Sequence, residues 1–111
     1  MNVEALKAHD FFPLLDSRQE PSLVFFATPA CSSCKRLRSI LISTEFDIPD
    51  LRCFQVQAEQ AGGLIEEYDI FHLPAIFLFM NGEMVGELQC LLTQETIRQT
   101  LHALVKQGNL G

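Results

Sequence analysis

The stretch SLVFFATPACSSCKRL, Ser22–Leu37, decides the fold. Its first six residues, Ser22 to Ala27, form a short, nearly continuous apolar run rich in β-forming side chains. Pro21 and Pro29 bound it. Such a run predicts a strand buried on both faces, at the centre of a sheet. From Cys31 the period changes. Cys34, Leu37 and Leu41 recur at i, i+3 and i+7 with Ile40 beside them, while Lys35, Arg36 and Arg38 take more exposed positions. This spacing predicts an amphipathic helix running to about Thr44. A buried strand therefore turns sharply into a helix whose opening carries a C-x-x-C pair.

Upstream, Val3–Leu6 fits a short edge strand or the start of a helix. Asp10 is placed to cap a helix that tolerates Pro13 in its first turn and lines up Phe11, Leu14 and Leu15. Downstream, Leu51–Gln57 reads as a third strand, and Gly62-Gly63 open a short helix with Leu64, Ile65 and Tyr68. Pro74 precedes the apolar strand AIFLFM. Asn81-Gly82 is a strong two-residue hairpin signal, because both central residues of a type I′ turn need positive φ. Met84, Gly86, Leu88 and Cys90 alternate along one face of a fifth strand ending at Cys90. Thr93 caps a last helix with Ile97, Leu101, Leu104 and Val105 on one stripe, and Gly108 is read as its stop. Helices between strands imply parallel crossovers, and the hairpin adds an antiparallel pair. The expected fold is α/β, a central mixed sheet of about five strands with helices on both faces.

The 111 residues suit one domain, residues 1–111, with 48% apolar and 20% charged residues. Eight basic residues against 14 acidic ones give a net charge of −6, which argues against nucleic-acid binding and offers no cationic handle for an anionic membrane. The longest apolar run, Leu73–Met80, falls short of the ~20 residues a bilayer span needs. The N-terminal MNVEALKAHDFF lacks the basic and apolar regions of a signal peptide. A cytoplasmic monomer is expected. In that compartment four cysteines, with Cys53 and Cys90 standing alone, read as redox or metal chemistry rather than structural stapling.

Position gives the pair its chemistry. Cys31 sits at the helix opening, where unpaired N–H groups and the positive end of the dipole favour a thiolate. Its pKa is expected below the free value of about 8.5. Cys34 lies one turn further in. The outer thiolate can attack a disulfide and the inner thiol can resolve the mixed disulfide. Lys35 and Arg36 add a screened, modest positive charge.

Two motifs, SLVFFATPACSSCKRL and HLPAIFLFMNGE, followed by the final amphipathic helix, resemble the thioredoxin family over nearly the whole chain. The resemblance implies the thioredoxin fold, with Cys31 as attacking thiol, Cys34 as resolving thiol and a cis Leu73–Pro74 bond facing the pair. It also implies a substrate groove formed by Ala30, Ser32, Ser33, Leu73, Pro74 and Cys90. The implied activity is thiol–disulfide oxidoreduction on protein disulfides, with no cofactor or metal and with an electron donor still to be identified.

The sequence departs from the family pattern in three ways. Ala30-Cys31-Ser32-Ser33-Cys34 replaces the common Trp-Cys-Gly-Pro-Cys, and the chain has no tryptophan. Phe25 stands where a buried acid usually lies. Phe54 and Gln55 offer it no basic partner. These departures motivate a second reading, a binding or assembly module that grips a partner with little catalysis. A third reading is metal binding, with His72 and Cys90 completing a ligand set around the pair, or with two pairs shared across a dimer. Cys90 is a candidate third redox thiol at the groove, or a small apolar residue filling the strand end. Cys53 reads as core. His72 is a candidate tuner of the Cys31 thiolate, or plain polar surface. Phe71 and Leu73 are candidates for an apolar docking lip, while most other phenylalanines read as core.

Overall fold

The computed structural model describes residues 1–110. Its strands are β1 (Val3–Ala5), β2 (Ser22–Ala27), β3 (Arg52–Gln57), β4 (Ala75–Met80) and β5 (Glu83–Glu87). The helices are α1 (Phe11–Asp16), α2 (Ser32–Ile42), α3 (Gly62–Glu67) and α4 (Gln94–Leu110). One five-stranded sheet has the order β1-β3-β2-β4-β5. β1 and β2 run parallel to β3, and β4 is antiparallel to both β2 and β5, so the sheet is mixed. No described helix is long and apolar enough to cross a membrane.

β2 is central because all six of its residues are apolar or small and all six are buried. Its alternation divides the core. Leu23, Phe25 and Ala27 join Cys34, Leu37 and Leu41 of α2 and Ile97 and Leu101 of α4 on one face. Val24 and Phe26 join Phe11 and Leu15 of α1 and Leu64 of α3 on the other. Each fully buried Leu or Phe contributes about 1.5–3 kcal/mol. The second face is aromatic: Phe11 meets Phe79 edge-on at 5.6 Å, and Phe26 meets Phe77 edge-on at 5.9 Å. At the sheet edge, Arg52 forks onto Glu4 with bonds of 2.9 and 2.6 Å and ties β1 to β3.

The hairpin forms as its sequence demands, with Asn81 at φ 56° and Gly82 at φ 76°. Thr93 caps α4, its hydroxyl oxygen accepting the Thr96 N–H at 3.2 Å. Val3–Ala5 is the edge strand, and Pro13 falls in the first turn of α1, where a missing N–H costs nothing.

Three local expectations are corrected. Asp10 makes no side-chain cap. It ends a 3-10 turn, Ala8–Asp10, and already has helical backbone angles, so its carboxylate is not turned onto the helix N–H groups. Gly108 does not stop α4, which runs to Leu110. A Cβ at that position would lie 2.5 Å from the Met80 sulfur, so this glycine serves close approach of helix and sheet. The fifth strand ends at Glu87, not at Cys90. A bulge pairs Phe79 with Met84 and Leu78 with Gly86, leaving Val85 as the extra residue. Met84 and Gly86 therefore do not share one face, and Gly86 backs onto Leu104 of α4. After a last bond from the Leu88 N–H to the Ile76 carbonyl, 2.8 Å, Cys90 lies in the loop that leads to α4.

Candidate active site at the mouth of α2

The strand β2 delivers the chain to Thr28 at one end of the central strand, and the turn Pro29-Ala30 swings it into α2. Cys31 is the N-cap residue of α2, in extended conformation at φ −87° and ψ 111°. Its sulfur occupies the place usually held by a capping oxygen and accepts the Cys34 N–H at 3.2 Å. The Ser33 hydroxyl lies 3.3 Å from the same sulfur. Cys34 follows one turn deeper and is only 3% exposed, whereas Cys31 is half-buried. The two sulfurs are at disulfide distance, with the Cα atoms 5.2 Å apart.

The segment before β4 closes the site from the opposite side. Asp69 adopts the left-handed conformation, φ 50°, and the Ile70 N–H returns to the Ile65 carbonyl at 2.9 Å. This ends α3 and sends Phe71–Leu73 back across the top of the sheet. The Leu73–Pro74 peptide is cis. The Leu73 carbonyl oxygen lies 3.8 Å from the Cys31 sulfur and 3.5 Å from the Ser33 hydroxyl.

The sequence-derived groove residues fall into three places. Ser33, Pro74 and Cys90 line one shallow depression of about 370 Å³, together with His72 and Leu92. Leu73 lines a second, more apolar depression of about 330 Å³ with Thr28, Ile65, Ile70 and Phe71. Ala30 and Ser32 are exposed at the helix mouth and line neither. Phe71 is 87% exposed and lines the second depression.

Cys53 is the second residue of β3 with no exposed surface, and burial pushes its thiol up to about 12. His72 is exposed, and the Cys31 sulfur's hydrogen-bonding neighbours are Cys34, Ser33 and Leu73 instead. Among the described residues, no three His, Cys, Asp or Glu side chains converge to hold a metal ion. The four-ligand set of Cys31, Cys34, His72 and Cys90 is thus not assembled within this chain. His72 and Cys90 line the groove while the pair faces the helix end.

The model for the family described as Thioredoxin matches residues 2–103. The chain belongs to the thioredoxin family. It is 30% identical over 94 residues to a thioredoxin of Griffithsia pacifica, covering 84% of this chain and 85% of that one. It is also 28% identical over 82 residues to thioredoxin domain-containing protein 2 of Rattus norvegicus; those residues are 74% of this chain but only 15% of the rat protein. Among solved structures, a thioredoxin from Trypanosoma brucei brucei superposes with a TM-score of 0.78 over 95% of this chain and 92% of that one. At 18% identity this likeness speaks for the fold alone. Family membership and the paired cysteines give the site a redox character. The sheet order and the two-sided helix layers are those of the family fold.

One feature of the site was not visible in the sequence. Arg38, whose position in the helical period marks it as surface, reaches across to β3 and donates from Nη1 to Gln55 Oε1 at 2.6 Å. The two residues are 17 apart in the chain. Only the parallel pairing of β2 with β3, which sets Phe25 beside Gln55, brings the Gln55 side chain under α2.

Proposed function

We propose that this protein is a thiol–disulfide oxidoreductase acting on protein disulfides through Cys31-Ser32-Ser33-Cys34. The observation that carries this reading is the Cys31 sulfur itself. It caps α2, takes the Cys34 N–H at 3.2 Å, and has its partner sulfur within bonding distance.

In the reducing direction the Cys31 thiolate attacks one sulfur of a substrate disulfide. A Cys31–substrate disulfide forms, and the other substrate sulfur leaves as a thiolate and takes a proton. The Cys34 thiolate then attacks the Cys31 sulfur. The intramolecular disulfide forms, the second substrate thiolate is released, and two electrons have passed to the substrate. An external dithiol donor restores the reduced pair. The Cys34 N–H at 3.2 Å and the Ser33 hydroxyl at 3.3 Å are placed to stabilise the attacking anion. The Leu73–Pro74 segment beside Cys31 is the surface against which the substrate segment is aligned. No cofactor enters these steps, and a cytoplasmic setting would keep the pair poised for reduction of clients.

The experiment is trapping. Cys34→Ser removes the resolving thiol, so clients of Cys31 stay covalently attached and are released by dithiothreitol. Recovery of such adducts from Cys34→Ser, and none from Cys31→Ser, is the expected result. Partners held equally by Cys31→Ala and Cys34→Ala variants, with no dithiothreitol-labile adduct, would replace this reading with that of a binding module.

A further inference from the structure

We infer that Arg38, held by Gln55, is what allows the buried Cys34 thiol to ionise. The inference rests on the exchange reading above and concerns its second step. That step needs Cys34 as a thiolate, yet Cys34 is 3% exposed and sits in an apolar cluster. Burial of this kind disfavours the charged form of a thiol. Cys53, in the same cluster, shows how strongly: its thiol is driven up to about 12.

The surroundings of Cys34 leave few sources of compensation. The cluster around it draws Phe25 from β2, Ile76 from β4, and Ile97 and Leu101 from α4, none of which titrates. β3 contributes Cys53, which is neutral at pH 7. His72, Glu87 and Cys90 lie on the groove in front of Ser33. The Met1 amino group bonds the Leu41 and Ile42 carbonyls, two turns away at the other end of α2. On α2 itself, Lys35 and Arg36 stand about 100° and 200° around the helix from Cys34 and are exposed. Arg38 is exposed as well, but it stands only about 40° away, at i+4, on the same face, and its guanidinium is tied to the sheet through Gln55.

Helical side chains lean toward the N-terminus, so the Arg38 side chain runs back over the turn that holds Cys34. Gln55 fixes that direction with the 2.6 Å bond. Charge does reach this layer: the Met1 amino group first, and Arg38 second, lower the pKa of the buried Cys53 thiol, although burial outweighs both. Gln55 is therefore a positioning residue that works through Arg38. In the step itself the Cys34 thiol gives its proton to water and the resulting thiolate attacks the Cys31 sulfur. The Cys31–substrate disulfide breaks, and the substrate sulfur leaves carrying the electron pair.

The test is a pH titration by NMR of reduced protein labelled with ¹³Cβ-cysteine, which reports Cys34 separately from the other thiols and without reference to activity. Arg38→Gln is expected to raise the Cys34 midpoint by about half a pH unit, roughly a three-fold loss of thiolate at any pH below the midpoint. Arg38→Lys should recover most of the shift. Gln55→Leu should reproduce part of it, and added salt should shrink the wild-type advantage. A Cys34 midpoint that is the same in wild type, Arg38→Gln and Gln55→Leu overturns the inference. Should Arg38→Gln fail to fold, the Gln55→Leu and salt arms decide alone. An inactive wild type would sink the exchange reading instead, and the titration would still report on Arg38.

Discussion

Cys34 and Cys53 are both buried in the same apolar layer beneath α2, yet the chain gives them opposite prospects. Cys53 is the second residue of β3, paired with Val3 of β1 on one side and Leu23 of β2 on the other. Burial there outweighs the Met1 and Arg38 charges, and its thiol is pushed up to about 12. Cys34 lies in the first turn of a helix, one residue type and one layer the same, but beside a sulfur that caps that helix. The lesson is that burial alone does not make a cysteine inert. On the proposed reading, a partner sulfur one turn away and the Arg38 charge tied to Gln55 separate an exchanging thiol from packing material.

The sharpest way to break this comparison is to exchange the roles by mutation. Cys31→Ser should abolish disulfide exchange in an insulin-reduction assay, while Cys53→Ala leaves the rate within about two-fold, as expected of a residue that only packs. A comparable loss from Cys53→Ala would merge the two regions into one machine. Next in size is stability. Cys53→Ser places a hydroxyl where no partner waits, and urea unfolding should show a loss of about 1–3 kcal/mol with exchange retained in the folded protein.

The pH dependence of unfolding sharpens the same contrast. Cys53 is raised in the fold from an ordinary value of 9.0 to about 12, so the unfolded chain gives up this proton first. Its contribution to stability is complete below pH 9 and is lost as the pH climbs toward 12. Reduced Cys53→Ala should therefore lose less stability than wild type between pH 9 and 11 in parallel urea titrations. Identical slopes would mean that Cys53 is not the group responsible. The smallest effect belongs to Ser33→Ala. Removing the hydroxyl 3.3 Å from the Cys31 sulfur should slow alkylation of Cys31 at neutral pH by about two- to five-fold, equivalent to a weak hydrogen bond of ~0.5–1 kcal/mol.

The parts of the molecule that were legible in the sequence are those fixed by short-range rules. The apolar run Ser22–Ala27 can only be a central strand, the Cys34-Leu37-Leu41 spacing can only face one layer, and Asn81-Gly82 carries its turn in its own backbone preferences. Misreadings arose wherever one residue type serves two purposes. Gly108 looks like a helix stop, but glycine also permits contact with Met80, and nothing local distinguishes the two uses. The alternation from Met84 to Cys90 overlooks the extra residue at Val85, because a bulge is a property of the pairing partner as much as of the strand. Asp10 has the right type for a cap, but the preceding 3-10 turn had already set its backbone.

The candidate site divides in the same manner. Cys31, Cys34 and Pro74 could be named because their chemistry depends on position within single elements. The groove was less legible. Ser33, Pro74 and Cys90 meet across three separate segments, whereas Ala30 and Ser32 turn aside. Arg38 is exposed, as its place in the helical period predicts, but the period reports only which side a residue faces. Its contact with Gln55 depends on the register between two parallel strands.

The account turns on the ionisation of Cys31 in the reduced protein. Iodoacetamide alkylation as a function of pH, with each cysteine followed separately by mass spectrometry, measures it directly. A Cys31 midpoint clearly below the free-thiol value of about 8.5, with Cys53 unreactive across the range, is the predicted result. A Cys31 midpoint at or above that value would contradict it.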